Sequence, residues 1–139
     1  GKFFSSLYFG KSPGASNKQG MVDSISSIRS SAFGLGFLKT SILSAGDEIL
    51  FSIDQPMRTE SGEMNLRVPI FRTKEKNVLF NSFGFSLRPS GREINSKARY
   101  LTSYKNLGLS LTVGYKSDPY HIKSMEDYWY TSLGFSIKI

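Results

Sequence analysis

Apolar and polar residues alternate with a period of two along most of the chain, the spacing at which successive side chains of an extended strand point to opposite faces. The alternation is cleanest toward the C-terminus. Leu107, Leu109, Leu111, Val113 and Tyr115 share one parity, and Gly108, Ser110, Thr112, Gly114 and Lys116 share the other. Trp129, Thr131, Leu133, Phe135, Ile137 and Ile139 likewise oppose Tyr128, Tyr130, Ser132, Gly134, Ser136 and Lys138. Upstream, Ile94, Ala98, Tyr100 and Tyr104 oppose Asn95, Lys97, Arg99 and Ser103, with Leu101 on the polar side. Leu79, Phe83, Phe85 and Leu87 oppose Ser82, Gly84, Ser86 and Arg88, and Met64, Leu66, Val68 and Ile70 oppose Asn65, Arg67 and Pro69. With Ile49-Phe51-Ile53, Phe33-Leu35-Phe37 and Phe3-Ser5-Leu7-Phe9, the pattern predicts eight strands.

Short turns around Ala45-Gly46-Asp47, Lys74-Glu75-Lys76-Asn77 and Lys105-Asn106 join three pairs of these strands. Longer stretches, 11–29, 55–63 and 117–127, separate most of the others, and Met21 to Arg29 admits a short helix. Alternation of short and long connections is the habit of an antiparallel up-and-down barrel in an outer membrane.

Composition narrows the class. The chain has 139 residues, 39% hydrophobic and 21% charged, too apolar for a disordered chain. No apolar run approaches the ~20 residues a membrane helix needs. Eighteen Lys and Arg stand against 11 Asp and Glu, for a net charge of +7. There is no cysteine, which removes disulfides, thiolate metal sites and cysteine nucleophiles, and His121 is the single histidine. A start at Gly1 with no signal-like segment reads as a processed or excised piece.

The polar faces decide between a soluble and a membrane sheet. They mix Gly, Ser and Thr with Arg67, Lys97, Arg99, Lys116 and Lys138, which suits a narrow lumen filled by side chains. Arg67, Lys97, Arg99 and Lys138 are therefore expected as lumen charges, the first three paired with Asp54 and Glu93 or with water, and leaving no open channel if the barrel closes on these strands alone. Tyr115, Tyr128 and Trp129 fall at the long-loop ends of their strands, where amphipathic rings favour a membrane interface. The expected fold is an all-β, antiparallel, up-and-down transmembrane barrel. About eight strands lie in this one domain of residues 1–139, either alone or as the C-terminal part of a larger barrel. Outer-membrane lipid is the expected surrounding. A soluble β-sandwich that binds a ligand or protein is the remaining alternative.

Ser132-Leu133-Gly134-Phe135-Ser136-Ile137-Lys138-Ile139 resembles the C-terminal insertion signal of bacterial outer-membrane proteins, with Ser132, Gly134, Ile137 and Ile139 at its defined positions. Ile139 stands where that signal usually has an aromatic. The resemblance implies that the barrel-assembly machinery reads this strand. The segments 52–62 (SIDQPMRTESG), 87–94 (LRPSGREI) and 114–121 (GYKSDPYH) are similar to the C-terminal region that follows subtilisin-like protease passengers in autotransporter-like proteins of Gram-negative bacteria. That similarity covers most of the chain from Ser31 onward. It implies a translocator or anchor for a passenger domain, although the usual autotransporter barrel has twelve strands and a helix in its pore. A stand-alone structural or adhesive barrel, or a subunit of an envelope assembly, is the alternative function.

No catalysis or cofactor is expected. His121 with Asp118 and Asp127 lacks a nucleophile elbow and an oxyanion hole, so His121 is expected as a solvated loop residue. Phe33-Gly34-Leu35-Gly36-Phe37 lacks the third glycine and the helix of a phosphate loop. Arg58 to Glu63 and Arg88 to Glu93 read as turns, with contact to a passenger or partner as the functional reading. Nucleic acid is not an expected partner, because a stacking platform would place aromatics and cations on one face.

Overall fold

The alternating segments are strands in the computed structural model of the protein, which describes residues 1–17 and 20–137. In chain order these are β1 (Lys2–Ser12), β2 (Ala15–Ser16), β3 (Val22–Ile25), β4 (Ile28–Thr40), β5 (Glu48–Ser61), β6 (Glu63–Arg72), β7 (Val78–Ser86), β8 (Ile94–Tyr104), β9 (Leu107–Ser117) and β10 (Tyr128–Ile137). A 3-10 turn spans Pro119–His121. Two sheets result, a six-stranded one in the order β1-β4-β5-β8-β9-β10 and a four-stranded one in the order β2-β3-β6-β7.

Each of the first four strands of the larger sheet continues along the chain, after a short break, into a strand of the smaller: β1 into β2, β4 back into β3, β5 into β6, β8 back into β7. The described chain divides into two compact units, one of residues 1–8, 32–57 and 90 onward, the other of residues 9–31 and 58–89.

Within the first unit the ladder fixes which residues share a face. Ser52 lies opposite Lys97, Lys97 opposite Gly114, and Gly114 opposite Tyr130. The same rows place Arg99 beside Thr112 and Ser110 beside Gly134. The other face carries Phe51, Ala98, Val113 and Thr131, then Leu111 with Leu133 and Leu109 with Phe135. This is the division that the alternation predicts. Exposure runs opposite to a soluble core: among the described residues no hydrophobic side chain is buried, while Phe135 is 66% and Leu133 58% exposed. On β9 the Gly, Ser and Thr positions are half-buried or buried, and Leu107, Leu111 and Val113 are exposed. Gly114 illustrates why small residues occupy that face. The Tyr130 ring lies over it, and a Cβ at position 114 would collide with the ring.

The second unit repeats the arrangement. Val22 pairs with Leu66 and Leu66 with Phe83, while Met64 pairs with Ile25 and Phe85. The opposite face carries Ser24, Asn65 and Gly84, with Asn65 Nδ2 donating to Ser24 Oγ at 3.1 Å.

Several expectations are corrected. The eight expected strands are present, two short ones (β2 and β3) join them among the described residues, and the pairing found there closes neither sheet on itself. Residues 55–61 are the end of β5, not a loop, and residues 21–29 are β3 and the start of β4, not a helix. Both segments lack the apolar signal of a strand because their order comes from pairing and polar contacts. The 64–70 and 79–87 strands belong to the smaller sheet as β6 and β7. Arg67 therefore belongs to a different sheet from Lys97 and Arg99, and its guanidinium lies 4.2 Å from the Phe80 ring centroid. Lys138 and Ile139 lie outside the described residues.

The turn between β4 and β5 is built on Asp47, which is fully buried. Its carboxylate accepts the N–H groups of Ile42 (2.7 Å), Leu43 (2.9 Å) and Ser44 (3.0 Å) and the Tyr100 hydroxyl (2.8 Å). Burial pushes the carboxyl up, but these four donors outweigh it and hold the pKa at about 2, from an ordinary 3.8. A depressed carboxyl pKa stabilises the fold above the unfolded value and loses that contribution as pH falls through the folded one. Asp47→Asn is therefore expected to lower the urea midpoint at neutral pH and to remove the acid-dependent loss of stability between about pH 4 and about pH 2. Urea titrations of both proteins across that range check it.

Candidate functional site

At the end of the first unit where β9 gives way to the 118–127 loop, four chain segments meet in a polar cluster. Glu93, just before β8, is 5% exposed. Its Oε1 lies 3.0 Å from Lys116 Nζ on β9, and its Oε2 accepts the Tyr120 N–H at 2.6 Å. Burial alone would raise its carboxyl pKa, but Lys116, the Tyr120 N–H and Asn95 hold it below the ordinary glutamate range. Beside it, the buried Gln55 on β5 accepts from the Arg92 guanidinium.

His121 ties this cluster together. Its Nδ1 accepts the Glu93 N–H at 2.9 Å, which leaves the proton on Nε2, 3.1 Å from the Met57 carbonyl oxygen to which it donates. One ring thus bridges the segment before β8 to the end of β5. The loop it stands on is bent hard: Asp118, Tyr120 and His121 have φ of 43°, 59° and 61°, a region that non-glycine residues rarely occupy. Such strain persists only where the surroundings over-determine it. Here the Gly91 N–H donates to the His121 carbonyl at 2.7 Å, Arg92 N–H to Asp118 Oδ2 at 3.0 Å, and Lys123 N–H to Ser90 Oγ at 3.1 Å. Gly91 must be glycine, since a Cβ would stand 2.7 Å from the Lys123 nitrogen.

Asp127 closes the loop. It accepts the Tyr115 hydroxyl at 2.6 Å and the Asp118 N–H at 2.9 Å, and these bonds hold its carboxyl below the usual aspartate range. Tyr115 lies opposite Trp129, their ring centroids 4.9 Å apart on the apolar face, and Tyr128 lies opposite Lys116 on the other face. The three aromatics expected at one rim are thus brought together.

The three segments 52–62, 87–94 and 114–121 converge here through Gln55, Met57, Arg92, Glu93, Lys116, Tyr120 and His121. Within the second unit, Arg58 is buried, with Nη1 2.6 Å from Glu60 Oε2 and Nη2 donating to the Pro89 carbonyl at 3.1 Å. The expected solvated His121 is instead half-buried with both nitrogens engaged, and neither nitrogen's partner is Asp118 or Asp127. Of the expected ion pairs, Lys97 meets Asp54 at 3.5 Å, while Glu93 takes Lys116. Arg99 is exposed. Ser132 and Gly134 sit on the small-residue face of β10 and Ile137 on its apolar face, and β10 is an edge strand of its sheet. Sequence reading carried Gln55, Arg58, Arg92 and Tyr120 only inside longer segments and gave none of them a bonding role. The available signal was a polar run, 54–63, in which neither face is apolar.

A cavity of about 790 Å³ lies in the first unit, drawing on all six strands of the larger sheet. Phe3, Leu35, Phe51, Ile53, Val113 and Trp129 line it, with Ser52, Lys97 and Gly114 between them. No protein-family model, curated protein or solved structure matches this chain.

His121→Ala removes one acceptor and one donor at once and is expected to destabilise the unit by about 1–3 kcal/mol. The 118–127 loop should then be cut faster in limited proteolysis. Because Glu93 is depressed, its contribution is present above its ordinary pKa of 4.5 and is lost as pH falls through the folded value. Acidification below 4.5 should therefore accelerate cleavage of the same loop in the wild type, and less so in Glu93→Gln.

Proposed function

We propose that this chain is part of the wall of an outer-membrane β-barrel, acting as translocator or anchor for an autotransporter-like secreted passenger. The observation that carries the reading is the inverted exposure: Leu, Phe, Val and Ile fill an exposed face in register, and the opposite face holds Gly, Ser and Thr with the ion-paired Lys97 and Lys116. Lipid accepts such an apolar face, whereas water does not reward it. Strand length agrees, since β8, β9 and β10 have 11, 11 and 10 residues and a tilted membrane strand needs about 9–11. Among the described residues no helix is long and apolar enough to cross a membrane, so strands would make the crossing.

Open edges cannot face hydrocarbon, because every N–H and C=O there requires a partner. The outer edges of β1 and β10 are consequently where further strands complete the wall, with this chain as one part of a larger barrel. The assembly machinery that reads the β10 signal would act on that edge. The convergent cluster around His121 then stands at one rim, holding the loop that links β9 to β10. A second reading, a soluble sheet that holds an apolar molecule, draws its support from the cavity lined by Phe3, Phe51, Ile53 and Trp129.

Charge scanning separates the two. Leu111→Arg and Leu133→Arg place a charge at mid-strand on the apolar face, expected to cost about 2–4 kcal/mol of insertion in a membrane. Thr112→Arg, on the opposite face, is expected to insert and to be recovered with the detergent-extracted membrane fraction. Equal recovery of all three in the detergent-free soluble fraction would overturn the membrane reading.

A further inference from the structure

The smaller sheet ends in two unlike edges. One is β2, only two residues long, too short to template a neighbour. The other is β7, Val78-Leu79-Phe80-Asn81-Ser82-Phe83-Gly84-Phe85-Ser86, which has no charge and no proline and is exposed at all nine positions. Its chain continuation, β8, has β9 beside it, but that ladder stops at the pair Ile94 and Ser117. A long uncharged edge is what proteins ordinarily shorten, charge or cover. Here the cover within the chain is slight: the Asn81 carboxamide oxygen accepts the Ser82 N–H at 3.0 Å, a local stand-in for the acceptor a neighbouring strand would supply.

Arg67 of β6 lies against the Phe80 ring, and the other nearby charges lie beyond the ends of this edge. Arg72 pairs with Val78 across the β6–β7 hairpin, Lys74 and Lys76 occupy its turn, and Arg88 follows the far end. From Glu63 to Arg88 there are five cations, Arg67, Arg72, Lys74, Lys76 and Arg88, against Glu63 and Glu75. A strand laid along β7 would have its middle beside uncharged residues and both of its ends beside cations. We infer that β7 is a docking edge for an extended segment of another polypeptide, apolar and polar in alternation and acidic at both ends, which adds a fifth strand to this sheet. Main-chain bonds supply the attachment and the flanking charges supply selection. A second copy of this chain fits poorly, because antiparallel β7–β7 pairing would set Lys74 and Lys76 of one copy beside Arg88 of the other.

The test uses the detergent-solubilised full chain and labelled peptides of three kinds, each an alternating Val-Thr strand. One has Asp pairs at its ends, one has Lys pairs, and the third is the Asp form with alternate backbone nitrogens methylated, made in both possible phases. Fluorescence anisotropy at low salt is expected to show the Asp form binding roughly tenfold tighter than the Lys form. The triple variant Lys74→Glu, Lys76→Glu, Arg88→Glu should reverse that order while keeping the wild-type melting temperature. Methylation in one phase should abolish binding, and in the other phase leave it, since a strand presents alternate N–H groups to each side. Equal binding of the Asp and Lys forms, equal behaviour of the two methylated phases, or no binding at all would overturn the inference. So would self-association through β7 that excess Asp peptide fails to displace.

Discussion

The hydrogen-bonded ladder between neighbouring strands is what every other feature leans on. Because side chains alternate at a period of two, a given register assigns each residue to one face, and a shift by one residue would turn every face inside out. With Lys97 opposite Gly114 and Gly114 opposite Tyr130, the small and charged residues fall into one set of rows and Leu, Phe and Val into the other. Inverted exposure follows from that assignment and from nothing else. Among the described residues the Leu, Phe and Val rows stay exposed, so the fold is not built around a buried apolar core.

What the alternation makes legible is the regular part of the larger sheet. β8, β9 and β10 could be placed, and their faces sorted, because the alternation runs over ten or eleven positions, strictly on β9 and with few exceptions on the other two. The turn at Lys105-Asn106 and the turn at Ala45-Gly46-Asp47 were legible for the same reason, as interruptions between clean runs. The second half of β5 was not. Gln55, Arg58 and Glu60 are polar residues whose side chains find partners inside the protein, and a pattern that equates polar with exposed reads them as loop.

The cluster around His121 escaped the sequence for a different reason. Its bonds join residues 28 and 64 positions apart, and most use a backbone group on one side, which carries no residue identity to read. Asp47 is similar, since three of its four donors are main-chain N–H groups. A carboxylate that gathers backbone donors looks, in a sequence, like any turn aspartate. Separation of the two sheets was hidden as well: Gly62 interrupts an otherwise continuous β5–β6 run, and a single glycine in a polar stretch gives no sign that the strand changes sheets there.

The ring of Tyr130 over Gly114 bears on how the sheet finds its register during assembly. Parity forbids a slip of one residue but is blind to a slip of two, which would leave apolar rows apolar and polar rows polar. Only features unique to a position can reject that error. The Tyr130 ring rests over Gly114, and a two-residue slip of β10 would set it against Thr112 or Lys116, where the ring must swing aside. The Lys116–Glu93 pair performs the same check between β9 and the start of β8. The sheet thus carries a coarse code repeated along every strand and a sparse set of unique marks, and the second proofreads what the first leaves ambiguous.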